Sequence, residues 1–312
     1  MNSPIVKTLM MNLMKTVEDF MEKEELKKSI EKELKNSTIL VTGGAGSVAA
    51  VLVKKILAYP VKTVRVLDID EHGLFRLGRE IKDSRLRLLL GNILDKERIE
   101  MAGSNVDIII HLAAVKNIEI SEFNPIETID TNINGTVNMI KMAIKNKPKK
   151  FLNISTDKAA ESSTLYGATK LLGERIISWA GTHVNPPTKF GTARFGNVIE
   201  TRGNVFEVWK NQVENKQPLT ITDPKMNRYF FHMDEAVDFI FNCMTKVNRG
   251  EIFVPKMKLF NVKDLALKIS KNHKIIGPRQ GEKLQEILIT EDEKKISQEK
   301  TDMWIIQNYR QV

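Results

Sequence analysis

Tyr166 and Lys170 stand four residues apart at the end of the run Asn153 to Lys170, NISTDKAAESSTLYGATK. On a helix that spacing puts both side chains on one face. A free phenol has a pKa of about 10 and is a poor base at neutral pH until a neighbouring ammonium stabilises the phenolate. Lys170 stands where it supplies that charge. Thr156, just upstream, offers a hydroxyl hydrogen bond to the same substrate oxygen. These three suit the removal of a proton from an alcohol while its carbon gives up a hydride. The adjacent Asp157 and Lys158 add an acid and a base that an ordinary alcohol oxidation does not require, so they imply further proton transfers. YxxxK by itself describes a surface helix with an exposed tyrosine equally well; the chain upstream outweighs that plainer reading.

The elements that must position these groups alternate. The periodicity predicts a strand over Lys150 to Ile154, a break at the polar run Ser155 to Lys158, and a helix from near Thr164. Upstream, Ser37 to Ala49 reads as a short buried strand, the turn Thr42-Gly43-Gly44-Ala45-Gly46, and a helix opening at Ser47 and Val48 and running toward Ala58. This is a dinucleotide fingerprint in its structural context. Gly43 permits the tight turn, Gly46 lets the backbone approach a pyrophosphate, and the helix start aims free N–H groups at its charge. A second strand, Thr63 to Leu67, ends at Asp68, where an acidic side chain accepts hydrogen bonds from the adenosine ribose and repels a 2′-phosphate. NAD is therefore expected over NADP. Leu86 to Leu90 is the next strand, followed by Gly91 and Asn92, with Asn92 facing the adenine. Val106 to Ala114 is another buried strand, whose small end at Ala113 leaves room for the cofactor. A long amphipathic helix is expected over Ser121 to Lys145, able to form a dimer interface with the Tyr166 helix. Strand and helix alternate throughout, which predicts an α/β, Rossmann-type, doubly wound parallel sheet.

Length and composition fit this picture. The 312 residues are enough for one large or two modest domains, with 42% hydrophobic and 28% charged residues, the balance of a water-soluble globular chain. A single cysteine, Cys243, excludes an internal disulfide, and no Cys/His cluster has zinc spacing, so no metal is expected and a reducing cytoplasm fits. The formal charge of +9 comes from lysines interspersed with acids, without an aromatic-studded basic stripe. This favours an anionic small substrate over nucleic acid. No apolar run approaches the roughly 20 residues that span a bilayer, so no stable membrane insertion is expected. The N-terminus lacks a signal-peptide cleavage pattern and is read as retained.

Three regions are expected: an N-terminal helical extension over 1–36, with Val17, Phe20, Met21, Leu26, Ile30 and Leu34 at mostly helical spacing; a dinucleotide-binding domain over 37–196, to which 232–256 returns; and a smaller, mainly substrate-binding C-terminal domain over 197–312. After the strand Thr192 to Phe195 the periodicity loosens. Helices are predicted over Met233 to Lys246 and Val262 to Lys271, with a strand at Glu251 to Val254. Arg202, Arg228 and Arg279 fall in turn-like or irregular contexts, where guanidinium forks grip phosphate.

The segments TGGAGSV (42–48), HLAAVKN (111–117), STDKA (155–159), YGATK (166–170), RFGNV (194–198), TRGNV (201–205), EIFVPK (251–256) and RQGEK (279–283) resemble the extended short-chain dehydrogenase/reductases from Thr38 onward. More closely they resemble the nucleotide-sugar 4,6-dehydratases of the polysaccharide-biosynthesis group, typified by the inverting UDP-N-acetylglucosamine enzymes. STDKA with YGATK is the specific part: related 4-epimerases lack the Asp-Lys pair, and glucose-type dehydratases carry Asp-Glu. The resemblance implies that Tyr166, with Thr156 and Lys170, takes the proton of the C4 hydroxyl as hydride passes to NAD. Lys158 then removes the C5 proton, with its pKa lowered by burial or by Lys170 as a cationic neighbour, and Asp157 protonates the departing C6 hydroxyl. The product is a 4-keto-6-deoxy sugar, and inversion at C5 requires reprotonation from the opposite face. The UDP-sugar is expected against Lys116, Asn197, Arg202, Arg228, Arg279 and Glu282, in an enzyme that is at least a dimer. Three departures stand out: Asp68 replaces a Ser-Arg ending, Asn92 replaces Asp, and Asn117-Ile118-Glu119 replaces His-Val-Pro. A UDP-sugar 4-epimerase and a non-catalytic NAD-binding scaffold are the alternatives.

Overall fold

A computed structural model describes residues 23–184, 187–279 and 281–307. The chain begins there with helix α1 (23–34), whose Ile30 and Leu34 are buried and whose Glu33 pairs with Lys150 at 2.8 Å. The earlier part of the expected N-terminal helix, including Val17, Phe20 and Met21, lies outside the described residues.

Strands β1 (Thr38–Thr42), β2 (Thr63–Asp68), β3 (Leu86–Leu90), β4 (Ile108–His111), β5 (Lys150–Thr156) and β6 (Lys189–Phe195) alternate with helices α2 (Ser47–Leu57), α3 (Glu71–Glu80), α4 (Lys96–Gly103), α5 (Ile118–Phe123), α6 (Pro125–Ile129), α7 (Thr136–Asn146) and α8 (Leu165–His183). The sheet runs β3-β2-β1-β4-β5-β6, all parallel. That is the doubly wound order, with its switch point between β1 and β4. β1, β4 and β5 are buried along their whole length, which is why they read as continuous apolar runs rather than alternating ones.

The rest of the chain contributes β7 (Asn197–Val198), β8 (Leu219–Ile221), β9 (Asn227–Phe231), β10 (Arg249–Pro255), β11 (Leu259–Asn261), β12 (His273–Ile275), β13 (Ser297–Glu299) and β14 (Met303–Ile306), with helices α9 (Val205–Glu214), α10 (Met233–Lys246), α11 (Val262–Ile269) and α12 (Glu291–Lys295). β10 extends the main sheet parallel to β6, and β14 and β13 close that edge antiparallel. β7, β9 and β11 form a small sheet, and β8 pairs with β12. Trp209, Leu219, Ile221, Met226, Val262 and Ala266 make a separate small core beneath them.

Three expected elements come out differently. The strand expected over 106–114 is only Ile108–His111, because Leu112 to Asn117 peels away to border the cavity. The single helix expected over 121–145 is broken at Asn124-Pro125 and again by a π-helical turn, Asp130–Gly135. Pro125 has no N–H to continue α5. The wide turn lets the Asn132 amide bond Val115 N, Val115 O and Thr169 Oγ1 at 2.8 to 3.0 Å, pinning the loop after β4 to α8. α11 stops at Ile269, where the C-capping Ser270 turns extended.

Candidate active site

The cofactor side of the site is built almost wholly from main chain. Gly43 sits at φ +66°, and a Cβ there would lie 2.6 Å from the backbone nitrogen of Ala113. Only glycine meets both demands. α2 starts at Gly46 with no side-chain cap and no acid in its first turn, so its N–H groups and positive dipole end face the cavity uncompensated. That suits a pyrophosphate. Asp68 ends β2 and holds the turn: one carboxylate oxygen accepts from Ala45 N at 2.9 Å, the other from Asp70 N at 3.0 Å. Asn92 accepts from Leu94 N at 2.9 Å and stands at the exposed end of β3, away from the cavity lining. His111, at the end of β4, is buried between Thr42 Oγ1 (2.6 Å) and Thr136 Oγ1 (3.1 Å). Burial, with the nearby Lys170 charge, lowers its pKa to about 3, so it is neutral.

A cavity of about 460 Å³ runs from this turn into the C-terminal half, within the usual size range of small-molecule sites. It is bordered by Gly43, Gly46, Ser47, Val48 and Ala114 on one side and by Thr156, Lys158, Tyr166 and Lys170 at its centre. Asn197, Arg202, Arg228, Arg279 and Glu282 border the other side, with Lys116 between. Asp68, Asn92, Ala113 and the expected acid Asp157 are not in the lining.

At the centre, β5 continues through Ser155 and Thr156, two residues beyond the predicted strand end, and turns as a 3-10 helix over Asp157–Ala159. Thr164 caps α8 by accepting from Gly167 N at 3.1 Å. Asp157 is fully buried; its Oδ1 accepts from Thr156 Oγ1 at 2.8 Å and from Lys158 Nζ at 2.9 Å. Its Oδ2 and the buried Ser155 hydroxyl have no partner among the described residues. The ion pair corrects one expectation: the charge held against Lys158 is that of Asp157, not a second cation. Another correction concerns Tyr166. Burial, then the Asp157 charge, push its phenol above the ordinary value, while a hydrogen bond with Thr156 pulls it down. Lys170 is not the dominant influence, because its ammonium donates to the Ile154 carbonyl and burial lowers its own pKa to about 8, against the opposing pull of Glu174.

The expected phosphate-gripping arginines occupy three different situations. Arg202 lies against the glycine turn: its guanidinium donates to Ala45 O at 2.6 Å, its N–H donates to Ser47 Oγ at 3.1 Å, and its carbonyl accepts from Lys116 Nζ at 3.3 Å. Arg228 is not in a turn but in β9, 7% exposed, donating to the carbonyls of Asn227, Lys283 and Leu284 and pairing with Glu282 at 3.4 Å. Arg279 is half exposed and pairs with Glu119 at 2.9 Å. Asn197 donates to Tyr229 O at 3.0 Å. The sequence reading missed Glu286, which is buried in the lining, and Arg194, fully buried between Glu174 and Glu293 with contacts of 2.6 to 2.9 Å. Spacing alone offered no signal for either.

A doubly wound sheet with a glycine turn at its switch point, Thr156 at the end of the fifth strand and Tyr166 and Lys170 on the helix after it defines a protein of the short-chain dehydrogenase/reductase class. Comparison narrows this: residues 39–308 match the family model described as polysaccharide biosynthesis protein, and the chain belongs to that family. It is 38% identical over 266 residues to a UDP-N-acetylglucosamine 4,6-dehydratase (inverting) of Campylobacter jejuni, covering 84% of this chain and 80% of that one. It is 39% identical to an uncharacterized membrane protein of Methanocaldococcus jannaschii, covering 88% and 87% of the two chains. Identity to a UDP-glucose 4-epimerase of Rickettsia bellii is 32%, covering 83% and 79%. Among solved structures, Pen from Bacillus thuringiensis superposes with a TM-score of 0.85 at 35% identity, covering 88% of this chain and 89% of that one. No described helix is long and apolar enough to cross a membrane.

Proposed function

We propose that this chain is a nucleotide-sugar 4,6-dehydratase that converts UDP-N-acetylglucosamine, or a similar UDP-hexosamine, to a 4-keto-6-deoxy sugar with NAD. The observation that carries the reading is the Asp157–Lys158 ion pair: Lys158 borders the cavity with Thr156 and Tyr166, and Asp157 is buried directly behind it. The glycine turn and the uncapped start of α2 suit the pyrophosphate of a dinucleotide, and the Asp68 carboxylate, next to the turn it braces, favours NAD over NADP. A nicotinamide dinucleotide held by Gly43, Gly46 and the first residues of α2 would supply reversible hydride acceptance to this site.

Everything else falls to the chain's own residues. Tyr166 takes the proton of the C4 hydroxyl, and the Thr156 hydroxyl, turned from Asp157 Oδ1 toward the substrate, donates a hydrogen bond to the same oxygen. Lys170 holds the Tyr166 helix to the end of β5 and lends positive charge near the phenol. The new ketone acidifies C5. Lys158 and Asp157 exchange the proton of their ion pair, which yields an amine and a carboxylic acid. The amine removes the C5 proton, and the acid protonates the C6 hydroxyl as it leaves as water. A simple 4-epimerase shares Tyr166, Thr156 and Lys170 but has no work for this pair, and a scaffold needs none of them. Lys116, Asn197, Arg202, Arg228, Arg279 and Glu282 are the proposed UDP-sugar contacts, in a substrate-binding part formed mainly by residues 197–231 and 257–307.

Exposed Ile120, Phe123, Ile126, Leu172 and Trp179 on α5, α6 and α8 favour a dimer, and we place the enzyme in the cytoplasm. Incubation with UDP-N-acetylglucosamine in deuterated water is expected to yield a product lighter by one water, with deuterium at C5. Recovery of unchanged or merely C4-inverted sugar rejects the dehydratase reading.

A further inference from the structure

One buried acid of the cavity has no part in that scheme. Just before it the chain runs beside β9, where Asn227 N donates to Leu284 O at 2.7 Å, and just after it Leu288 and Ile289 enter the core. This turn from surface to interior carries Glu286 inward, where it is 5% exposed and borders the cavity. No hydrogen bond or ion pair to Glu286 occurs among the described residues. The charges that face it are Lys158 and Asp157 from the end of β5, Arg228 from β9 and Lys283 from its own segment. Lys158 is already paired with Asp157, Arg228 with Glu282, and Lys283 reaches Glu161. A buried carboxylate without a partner is costly and takes up a proton instead. Burial does raise the Glu286 pKa, and Asp157 pushes it the same way.

Proton bookkeeping of the dehydration calls for such a group. Tyr166 gains the C4 hydroxyl proton and Lys158 gains the C5 proton, whereas Asp157 loses one to the departing water. When C6 is reduced, the C5–C6 electron pair moves toward the C4 ketone and C5 must accept a proton. We propose that Glu286 is a fourth proton-transfer group of this site, the acid that delivers that proton to C5 and is left as a carboxylate. Two groups have then gained a proton and two have lost one, so transfers within the cluster restore the starting state. The inference rests on the dehydratase reading.

The test compares wild type with Glu286→Gln and Glu286→Asp, incubated with UDP-N-acetylglucosamine in deuterated water. The amide keeps the shape but carries no transferable acid. Glu286→Gln is expected to lower kcat about 100-fold, leave KM within about threefold, and reduce deuterium at C5, because Lys158 then returns the proton it removed. It is also expected to remove the alkaline limb that Glu286 gives the kcat profile. Glu286→Asp, a carboxyl on a shorter stem, is expected to recover part of both the rate and the label. Wild-type kcat and label in Glu286→Gln, a raised KM with unchanged kcat, or an Asp variant no better than Gln each overturns the role of Glu286 while wild type still releases water. A wild type that releases no water removes the dehydratase reading, and this role with it.

Discussion

The two sides of the cavity are made by different means. On the cofactor side the bordering groups are largely main chain: the turn at Gly43 and Gly46, the first residues of α2, and the stretch after β4, all carried by strands buried along their length. On the opposite side they are side chains tied to distant partners. Arg228 pairs with Glu282, 54 positions away, and in the interior outside the lining Arg194 pairs with Glu293, 99 positions away. Backbone geometry is set within a few residues by steric rules. A network of side-chain pairs exists only once the whole chain has folded. The cofactor side is thus the rigid, locally encoded half, and the substrate side can change its ties without disturbing the sheet.

The sharpest way to separate the sides is at their meeting point. Lys158→Met is expected to slow water release by about 10²–10⁴-fold while C4 oxidation, followed by reduced-nicotinamide absorbance in a single turnover, persists. Loss of both signals together would mean that Lys158 serves the cofactor side instead. Arg194→Met leaves Glu174 and Glu293 as buried, unpaired acids and is expected to cost about 3–5 kcal/mol, measured as a shift in the urea midpoint at constant m-value. Breaking the half-exposed Arg279–Glu119 pair by Glu119→Ala is expected to cost less than about 1 kcal/mol.

Two glycines make the comparison within one residue type. Gly43→Ala combines a positive φ with a collision against Ala113 backbone and is expected to exceed the roughly 1–3 kcal/mol of backbone strain alone and to abolish NAD binding by calorimetry. Gly203 sits at φ +75° with no atom within 4 Å of the place a Cβ would take, so Gly203→Ala is expected to cost only the strain, about 1 kcal/mol. Equal losses would remove the distinction between a packed turn and an open one.

Two histidines give pH-dependent effects of opposite sign. His111 stays neutral down to about pH 3 in the folded chain but titrates near 6.5 unfolded. The unfolded chain binds the extra proton, so stability is lost as pH falls from 6.5 toward 3. His232, exposed and 3.0 Å from Glu200, has its pKa raised by that partner. Its contribution is complete below 6.5 and fades as pH rises through the raised value. Thermal melts of His111→Asn are expected to show a flatter acid limb, and those of His232→Gln almost no change.

Legibility followed the same division. Gly43, Gly46, Asp68 and the β1–α2 unit could be read because each demand is local, and so could the alternation that yields the doubly wound sheet. The Tyr166–Lys170 spacing was visible too. Less visible was what each charge meets: Arg228 looked like a turn residue until β9 enclosed it, and Lys158, expected to feel burial or the charge of Lys170, pairs with Asp157. Glu286 carried no mark, since a single acid in an irregular stretch has no period or motif, and the RFGNV segment marked Arg194 without showing that Glu174 and Glu293 enclose it.

The order of residues by itself determined the parallel sheet, the glycine turn, an acid–base pair at the end of one strand and a tyrosine and a lysine on one face of the next helix, because steric and periodic rules act over short stretches of chain. Tertiary structure alone decided which charges are paired, which are buried and which acid is left unpartnered beside Lys158. Those properties depend on the field and solvent access at a point in space, and residues far apart in the chain set both.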